Sequence, residues 1–575
     1  MKRKTRLLLP LALSVLILSG CGKDNPFAFS SDFRSSGSGT KANGFYTQKT
    51  EFTTNNNDPF IKGKDYYRKV LTNQGQFSAP TFSTTGTMEA RMAVIPVVFN
   101  TPSSRSLATQ DNLAKLNKLF FGNEEDTGYW ESVSSFYKKS SYGKLNITGE
   151  VLDYVSLDTD LDIEESKIKN GASLSEVTAS LTKEAYNAAF SGNAPKKKAS
   201  DYDGDKDGVI DYYWVVYMDE YNQNDSTGLA WAYTLWNNDS SCSFRNYSWA
   251  SYKFMNNAGT GQIDAHTYIH ETGHQMGLDD YYSTDYGEAE DYILRHPDLN
   301  ELEKMNIRNG TFRYYPRSPL GQLNMMDNNI LDHDAFSKYC LGWSTPTVMQ
   351  VGKEYTLSPF ENAGGALLIA DDFNGTAFDE YYLVEYYTPT GLNELDADYP
   401  YRADGNLQGY TQNGVKIYHV DQRLTKLIYN FHTSEWEASD PIRYYDAPDI
   451  PTDSDESLQI VSSNSRSSCR DERDYALVSL VQASGRTNLM EDHYVPDQAK
   501  EKNKALENMK YSADDFFTPD SLVFGKDIPI TSHEGWKLDA HLKITDMNEN
   551  GVTLKLVSDL GNEAKTSAEI TSSSD

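Results

Sequence analysis

The chain has 575 residues, more than one hydrophobic core accommodates, so two or three domains are expected. Its 83 acidic and 53 basic side chains leave a formal charge of −30, which excludes the basic surface a nucleic-acid partner requires. Cys21, Cys242, Cys340 and Cys469 are too few and too scattered for a disulfide framework or a four-cysteine zinc ribbon. At most one disulfide can form among the last three, and their spacing does not assign it.

The chain opens with the cationic "MKRKTR" and the apolar "LLLPLALSVLIL" (Leu7 to Leu18), which is too short to span a bilayer. Leu18-Ser19-Gly20-Cys21 resembles a bacterial lipobox. Residues 1–20 therefore read as a lipoprotein signal peptide and Cys21 as the lipidated N-terminus of an exported, outward-facing envelope protein. The alternative is a soluble secreted protein in which Cys21 is incidental. Residues 21–88, rich in Ser, Gly, Thr and Asn, read as a tether or pro-segment.

Order is expected from "MAVIPVVFN" (92–100), a strand in which Pro96 suggests an edge or strand-start position. Helical spacing follows in "TQDNLAKLNKLFF" and in "YWESVSSFYKKSSYGKL", where Val133, Phe136 and Tyr137 share a face. "LNITGEVLDYVSL" alternates like a strand, "SLSEVTASLTKEAYNAAF" is a helix with a serine cap, and "DYYWVVYM" (211–218) is a strand. Interleaved strands and helices indicate a mixed α/β domain over residues 89–345. Beyond it lie short β-type runs, "YYLVEYY" (381–387), "GVKIYHVD" (414–421) and "ALVSLVQA" (476–483), and a hairpin signal at Asn550-Gly551. Residues 346–560 thus read as a β-rich region of one or two modules, 439–457 as a long acidic loop, and 561–575 as a disordered tail. The fold class is α+β.

The chemistry is concentrated in "HTYIHETGHQMGLDDYYS" (266–283). On a helix His270 and His274 lie one turn apart on one face, so both imidazoles can reach one zinc ion. Glu271 beside them can hold a water and take its proton. Gly277 permits the left-handed turn that ends the helix and brings Asp280 back as a third ligand. Asp280 occupies the position where metzincins carry a third histidine. Asp279 reads as solvated or as a supporting partner, and His266 as too far from the ion to ligate. A competing layout draws the third ligand from Glu288, Glu290 or Glu301. Met326, with Met325 close behind, is the candidate for a methionine turn beneath the zinc. His333, Tyr281 and Tyr282 are candidate oxyanion donors, although a structural role is favoured for each.

"VIPVVF", "SVSSFYKKSSYGKLNITGEV", "DYDGDKDGVIDYYWVVY", "HETGHQMGLDDYY" and "LNMMDNNILDHDAFSKYCLGW" occur in an order that resembles the immune inhibitor A family of bacterial metallopeptidases, over residues 90–345. The resemblance implies a metzincin-like secreted zinc endopeptidase, with His270, His274 and Asp280 as ligands and Glu271 as the catalytic carboxylate. "YYLVEYY" and "GVKIYHVD" also look like family segments, whereas downstream of about residue 425 the likeness thins.

A calcium ion is a second expected cofactor. "DGDKDGVID" sets Asp203, Asp205, Asp207 and Asp211 at EF-hand-like positions, although position 12 is Trp214 instead of glutamate. The expected function is hydrolysis of extracellular protein or glycoprotein substrates by an envelope-anchored lipoprotein. Its rivals are a non-catalytic surface lipoprotein binding glycan or host protein on a degenerate peptidase fold, and a peptidase specialised for glycosylated proteins such as mucins.

Overall fold

A parallel sheet with both faces covered needs strands that are apolar on both sides, and two runs of the N-terminal half meet that requirement. In the computed structural model these are β1 (Met88–Val98) and β4 (Tyr212–Tyr217). The structure describes residues 88–558 except 128–129, 192–196, 222–225, 238, 257–261, 284–288, 371–372, 374–376, 400, 402–407, 431–434, 439–455, 466–475, 497–508, 534 and 536, together with 41–42 and 45–46. The expected leader, Cys21, nearly all of the tether, Glu288, most of the acidic loop, Cys469 and the tail lie outside the described residues.

Between β1 and β4 come α1 (Gln110–Phe121), α2 (Val133–Ser140), β2 (Leu145–Val151), β3 (Val155–Ser156) and α3 (Leu174–Phe190). β5 (Tyr233–Trp236), β6 (Asn246–Ser251) and α4 (His266–Gln275) follow. The sheet order is β2-β1-β4-β6-β5, with β3 continuing beside β1; β5 alone runs antiparallel, along the edge. Helix ends obey local chemistry: Thr109 caps α1, and Ser173 and Glu176 form a reciprocal capping box on α3. Odd-numbered β1 and β4 residues such as Ile95, Val97, Tyr213 and Val215 pack towards Val177, Leu181 and Ala185 of α3. Even-numbered residues such as Met92, Val94, Trp214 and Val216 share a core with α1, α2 and α4.

The expected edge position of Pro96 is not observed, because β1 lies inside the sheet. The carbonyls of Val94 and Val98, on the same side of β1 as Pro96, accept hydrogen bonds from Leu152 and Leu157. The N–H that proline lacks would thus face the break between β2 and β3, where the ladder has no partner to lose.

Past α4 come the short α5 (Met325–Asn328) and α6 (Ala335–Cys340). The β-rich part contains β7 (Thr347–Val348), β8 (Glu354–Leu357), β9 (Leu367–Ile369), β10 (Glu380–Tyr387), β11 (Gly414–Asp421), β12 (Val478–Leu480), β13 (Ala540–Asn548) and β14 (Gly551–Ser558). One sheet runs β7-β9-β10-β11-β12; a second, β8-β14-β13, packs on it through Leu357, Leu542, Val552 and Leu554. Strands 424–430, 435–438 and 456–460 form a small separate sheet, and 312–315 pairs with 493–496. The terminal hairpin forms, with Glu549 and Asn550 at its tip and Gly551 opening β14. Tyr382 and Val384 of β10 face the second sheet, while Tyr381 and Leu383 face the core that contains α4. This double burial explains why "YYLVEYY" lacks polar alternation. Cys242 and Cys340 are buried, and no helix among the described residues is long and apolar enough to cross a membrane.

Candidate metal centre

α4 is buried almost throughout, so its polar groups must be satisfied internally. The indole Nε1 of Trp214 donates to Thr272 Oγ1 at 3.1 Å, Tyr137 OH donates to the Ile269 carbonyl at 2.7 Å, and Tyr268 OH donates to the Ser251 carbonyl at 2.6 Å. Gln275 accepts from the Tyr213 N–H at 3.0 Å and donates to Ser248 Oγ at 2.6 Å, locking the end of the helix to β4 and β6. These bonds fix the axis and rotation of the helix that carries the histidines.

The helix stops at the expected place. Gly277 has φ +93°, and the Leu278 N–H donates back to the Gly273 carbonyl at 3.1 Å. The turn brings Asp280 Oδ1 within 3.2 Å of both His270 Nε2 and His274 Nε2, which are 3.0 Å from each other. Donor atoms about 2.0–2.1 Å from a tetrahedral zinc ion stand roughly 3.4 Å apart, so the triangle fits such an ion with little adjustment. Each ring is oriented by its other nitrogen. His270 Nδ1 lies 2.8 Å from the Met325 carbonyl and His274 Nδ1 lies 2.8 Å from the Leu278 carbonyl, an arrangement that presents both Nε2 lone pairs to one point.

Burial pushes the Asp280 carboxyl up, but His274 and His270 outweigh it and hold the group well below the usual carboxylate range. Burial likewise opposes protonation of His274, yet Asp280 prevails and pushes its pKa up to about 10.

Glu271 is fully buried, and burial pushes its carboxyl up against the pull of His274 and His270. Its Oε2 accepts from Thr234 Oγ1 on edge strand β5 at 3.0 Å, while Oε1 has no hydrogen-bond partner among the described residues. An unpartnered buried carboxylate oxygen next to two imidazoles is suited to receiving a water proton. Met326 is buried beneath the helix, where a Cβ on Gly273 would stand 2.6 Å from its sulfur; its carbonyl accepts from the Tyr281 N–H at 2.8 Å. Met325 contributes through its backbone to His270, so both members of the pair support the site.

The other candidates lie elsewhere. His266 is sandwiched between Trp130 and Tyr401 and hydrogen-bonded to Asp264 and Asp396, away from the trio. Asp279 accepts from Ser463 and Ser465. Glu290 pairs with Arg308 and Glu301 with Lys304, so neither reaches the histidines. The Tyr281 hydroxyl pairs with Ser337. His333 is enclosed by Phe136, Tyr137 and Trp343, where burial pushes its pKa well down and keeps it neutral. Tyr282 is close enough to Asp280 and Glu271 that, after burial, their charges hold its phenol well above its ordinary pKa. It is therefore a neutral donor at the site's edge.

In the acidic loop Asp203, Asp205 and Asp211 converge, but Asp207 does not join them, because Arg245 draws its Oδ2 away at 2.9 Å. Asp211 Oδ2 already accepts from the Arg91 and Gly204 N–H groups. Thr234 and Gln275, whose roles depend on neighbouring strands, carry no signal in the local sequence.

No protein-family model matches this chain, and no curated protein matches it in sequence.

Proposed function

We propose that this chain is a zinc endopeptidase of metzincin-like type, related to the immune inhibitor A metallopeptidases, acting on extracellular proteins or glycoproteins. One observation carries the reading: His270, His274 and Asp280 converge to within 3.2 Å, and beside them a buried Glu271 has an oxygen without a hydrogen-bond partner among the described residues. A helix built only for packing has no use for an unsatisfied buried carboxylate, which costs about 1–3 kcal/mol or more. The lipobox-like Leu18-Ser19-Gly20-Cys21 supports anchorage at the cell envelope.

His270, His274 and Asp280 would hold the zinc, whose chemistry is Lewis acidity toward a carbonyl and a water. Thr234 fixes Oε2 of Glu271 and leaves Oε1 to take a proton from the attacking water. The same carboxyl then delivers that proton to the leaving amine. Tyr282, kept protonated, can donate a hydrogen bond to the oxygen on which charge develops. β5 stands at the edge of its sheet among the described residues, where β-addition would align an extended peptide. The three oxygens of Asp203, Asp205 and Asp211 would suit calcium, bracing the entry to β4.

The test is casein hydrolysis by the purified full chain, with and without chelator. Wild type should cleave and lose activity on chelation. Glu271→Gln should keep wild-type zinc content and lose roughly 10²–10⁴-fold in rate. Undiminished cleavage by that variant would remove Glu271 from the chemistry and overturn the proposal.

A further inference from the structure

A second constellation of metal-binding type lies in the β-rich part, built from strands far apart in sequence. Glu380 begins β10, His419 sits opposite Tyr382 on β11, and His533 lies in the excursion between Ile530 and Leu538. The three offer one ligand atom each, all within 4.8 Å of one another. His419 Nε2 is 3.0 Å from Glu380 Oε1, and His533 Nδ1 is 3.8 Å from the same oxygen. These spacings bracket the roughly 3.4 Å edge of a tetrahedral zinc site.

We propose that Glu380, His419 and His533 bind a structural zinc ion that clamps the 530–538 excursion onto the five-stranded sheet. The donors are held in place before any ion arrives. The His419 ring stacks on Tyr382 at 4.4 Å, and the Tyr382 hydroxyl donates to the Thr531 carbonyl at 2.6 Å. The His533 N–H donates to Glu380 Oε1 at 2.6 Å, and its ring is steadied by Asp421 Oδ2 at 2.8 Å. The ring nitrogen in that contact, Nδ1, is also the one that faces Glu380, so zinc on it would displace the hydrogen bond to Asp421, whose two oxygens stay held by Arg423. Arg423 also approaches Glu380 Oε2 at 3.4 Å, so Oε1 is the oxygen that faces both histidines. Glu380 is buried, while the two histidine side chains keep 15% and 17% exposure, so the cluster is reached from the solvent side.

The benefit is a long-range clamp, because residues 421 and 533 are 112 apart in sequence. Ile530 and Leu538 on either side of the excursion are buried between the two sheets, so tying down its tip protects that core. Two histidines and one glutamate also suit catalytic zinc, but the second buried carboxylate described beside them, Asp421, is held through both oxygens by Arg423. The role assigned is therefore structural.

Zinc per chain, measured by elemental analysis on the full protein after zinc loading and desalting, tests this independently of peptidase activity. Wild type should hold two, H419Q/H533Q one, H270Q/H274Q one, and the fourfold variant none. H419Q/H533Q should retain casein cleavage and melt at a lower temperature than wild type. Two zinc ions retained in H419Q/H533Q would overturn the proposal, as would a single ion in wild type that H270Q/H274Q abolishes. Equal zinc in wild type and H270Q/H274Q would instead sink the peptidase reading. Should H419Q/H533Q not fold, cobalt(II) added to H270Q/H274Q decides. Intense tetrahedral d–d bands uphold the site; weak octahedral bands or no uptake overturn it.

Discussion

At the scale of single residues, the division of work on Glu271 is the decisive detail. Oε2 is tied to Thr234 while Oε1 has no partner among the described residues, which leaves that edge for the proposed proton transfer. Thr234→Val removes the tie while keeping the shape of the side chain. It should lower kcat about tenfold, the kinetic equivalent of ~1.4 kcal/mol, with KM and zinc content unchanged. A titration follows from His274. Its pKa is raised to about 10 against the ordinary 6.5, so at pH 7 the metal-free site holds a proton that zinc must displace. Zinc affinity should rise with pH up to about 10. Calorimetry in buffers of different ionisation enthalpy should register proton release from wild type that H270Q/H274Q lacks; identical release from both would refute this.

At the scale of elements, α4 and its terminal turn act as one ligand-presenting unit. The left-handed Gly277 sends the chain back, and the same turn places the Leu278 carbonyl that orients His274. A side chain at that φ costs roughly 1–2 kcal/mol. Gly277→Ala should therefore lower the urea midpoint by a corresponding amount and weaken zinc binding, whereas Gly→Ala on an ordinary exposed helix would stabilise. An unchanged midpoint would show that the turn tolerates a side chain. The helix N-terminus is held differently: His266 bridges Asp264 and Asp396, with Trp130 and Tyr401 on its faces. That ties α4 to residues more than a hundred positions downstream.

At the scale of the whole molecule, the core does not break near residue 345. Met326, Phe336 and Trp343 share one apolar cluster with Leu368, Tyr381, Leu383, Val420 and Phe516 from the β-rich part. A chain ending at residue 345 would expose the β10-facing side of that cluster. It should accumulate as insoluble or protease-sensitive material, whereas a chain ending at 560 should remain soluble; a soluble, cooperatively melting 88–345 fragment would contradict this packing argument. The β-rich part thus shares the apolar core that surrounds α4.

What the sequence determined by itself is whatever depends on neighbours within a few positions. The i, i+4 spacing of His270 and His274, the glycine turn before Asp280, the cap at Ser173 and the closing hairpin near Asn550 are all local geometry, in which the backbone leaves few choices. Tertiary structure alone decided which distant groups meet these residues. Pro96 fits an inner strand only because β2 ends and β3 begins beside it. Asp207 leaves its loop because Arg245 is within reach, and Thr234 matters because β5 runs past Glu271. Glu380, His419 and His533 converge only once two sheets and an excursion are packed together. Such contacts come from chain topology and side-chain packing, which spacing along the sequence does not encode.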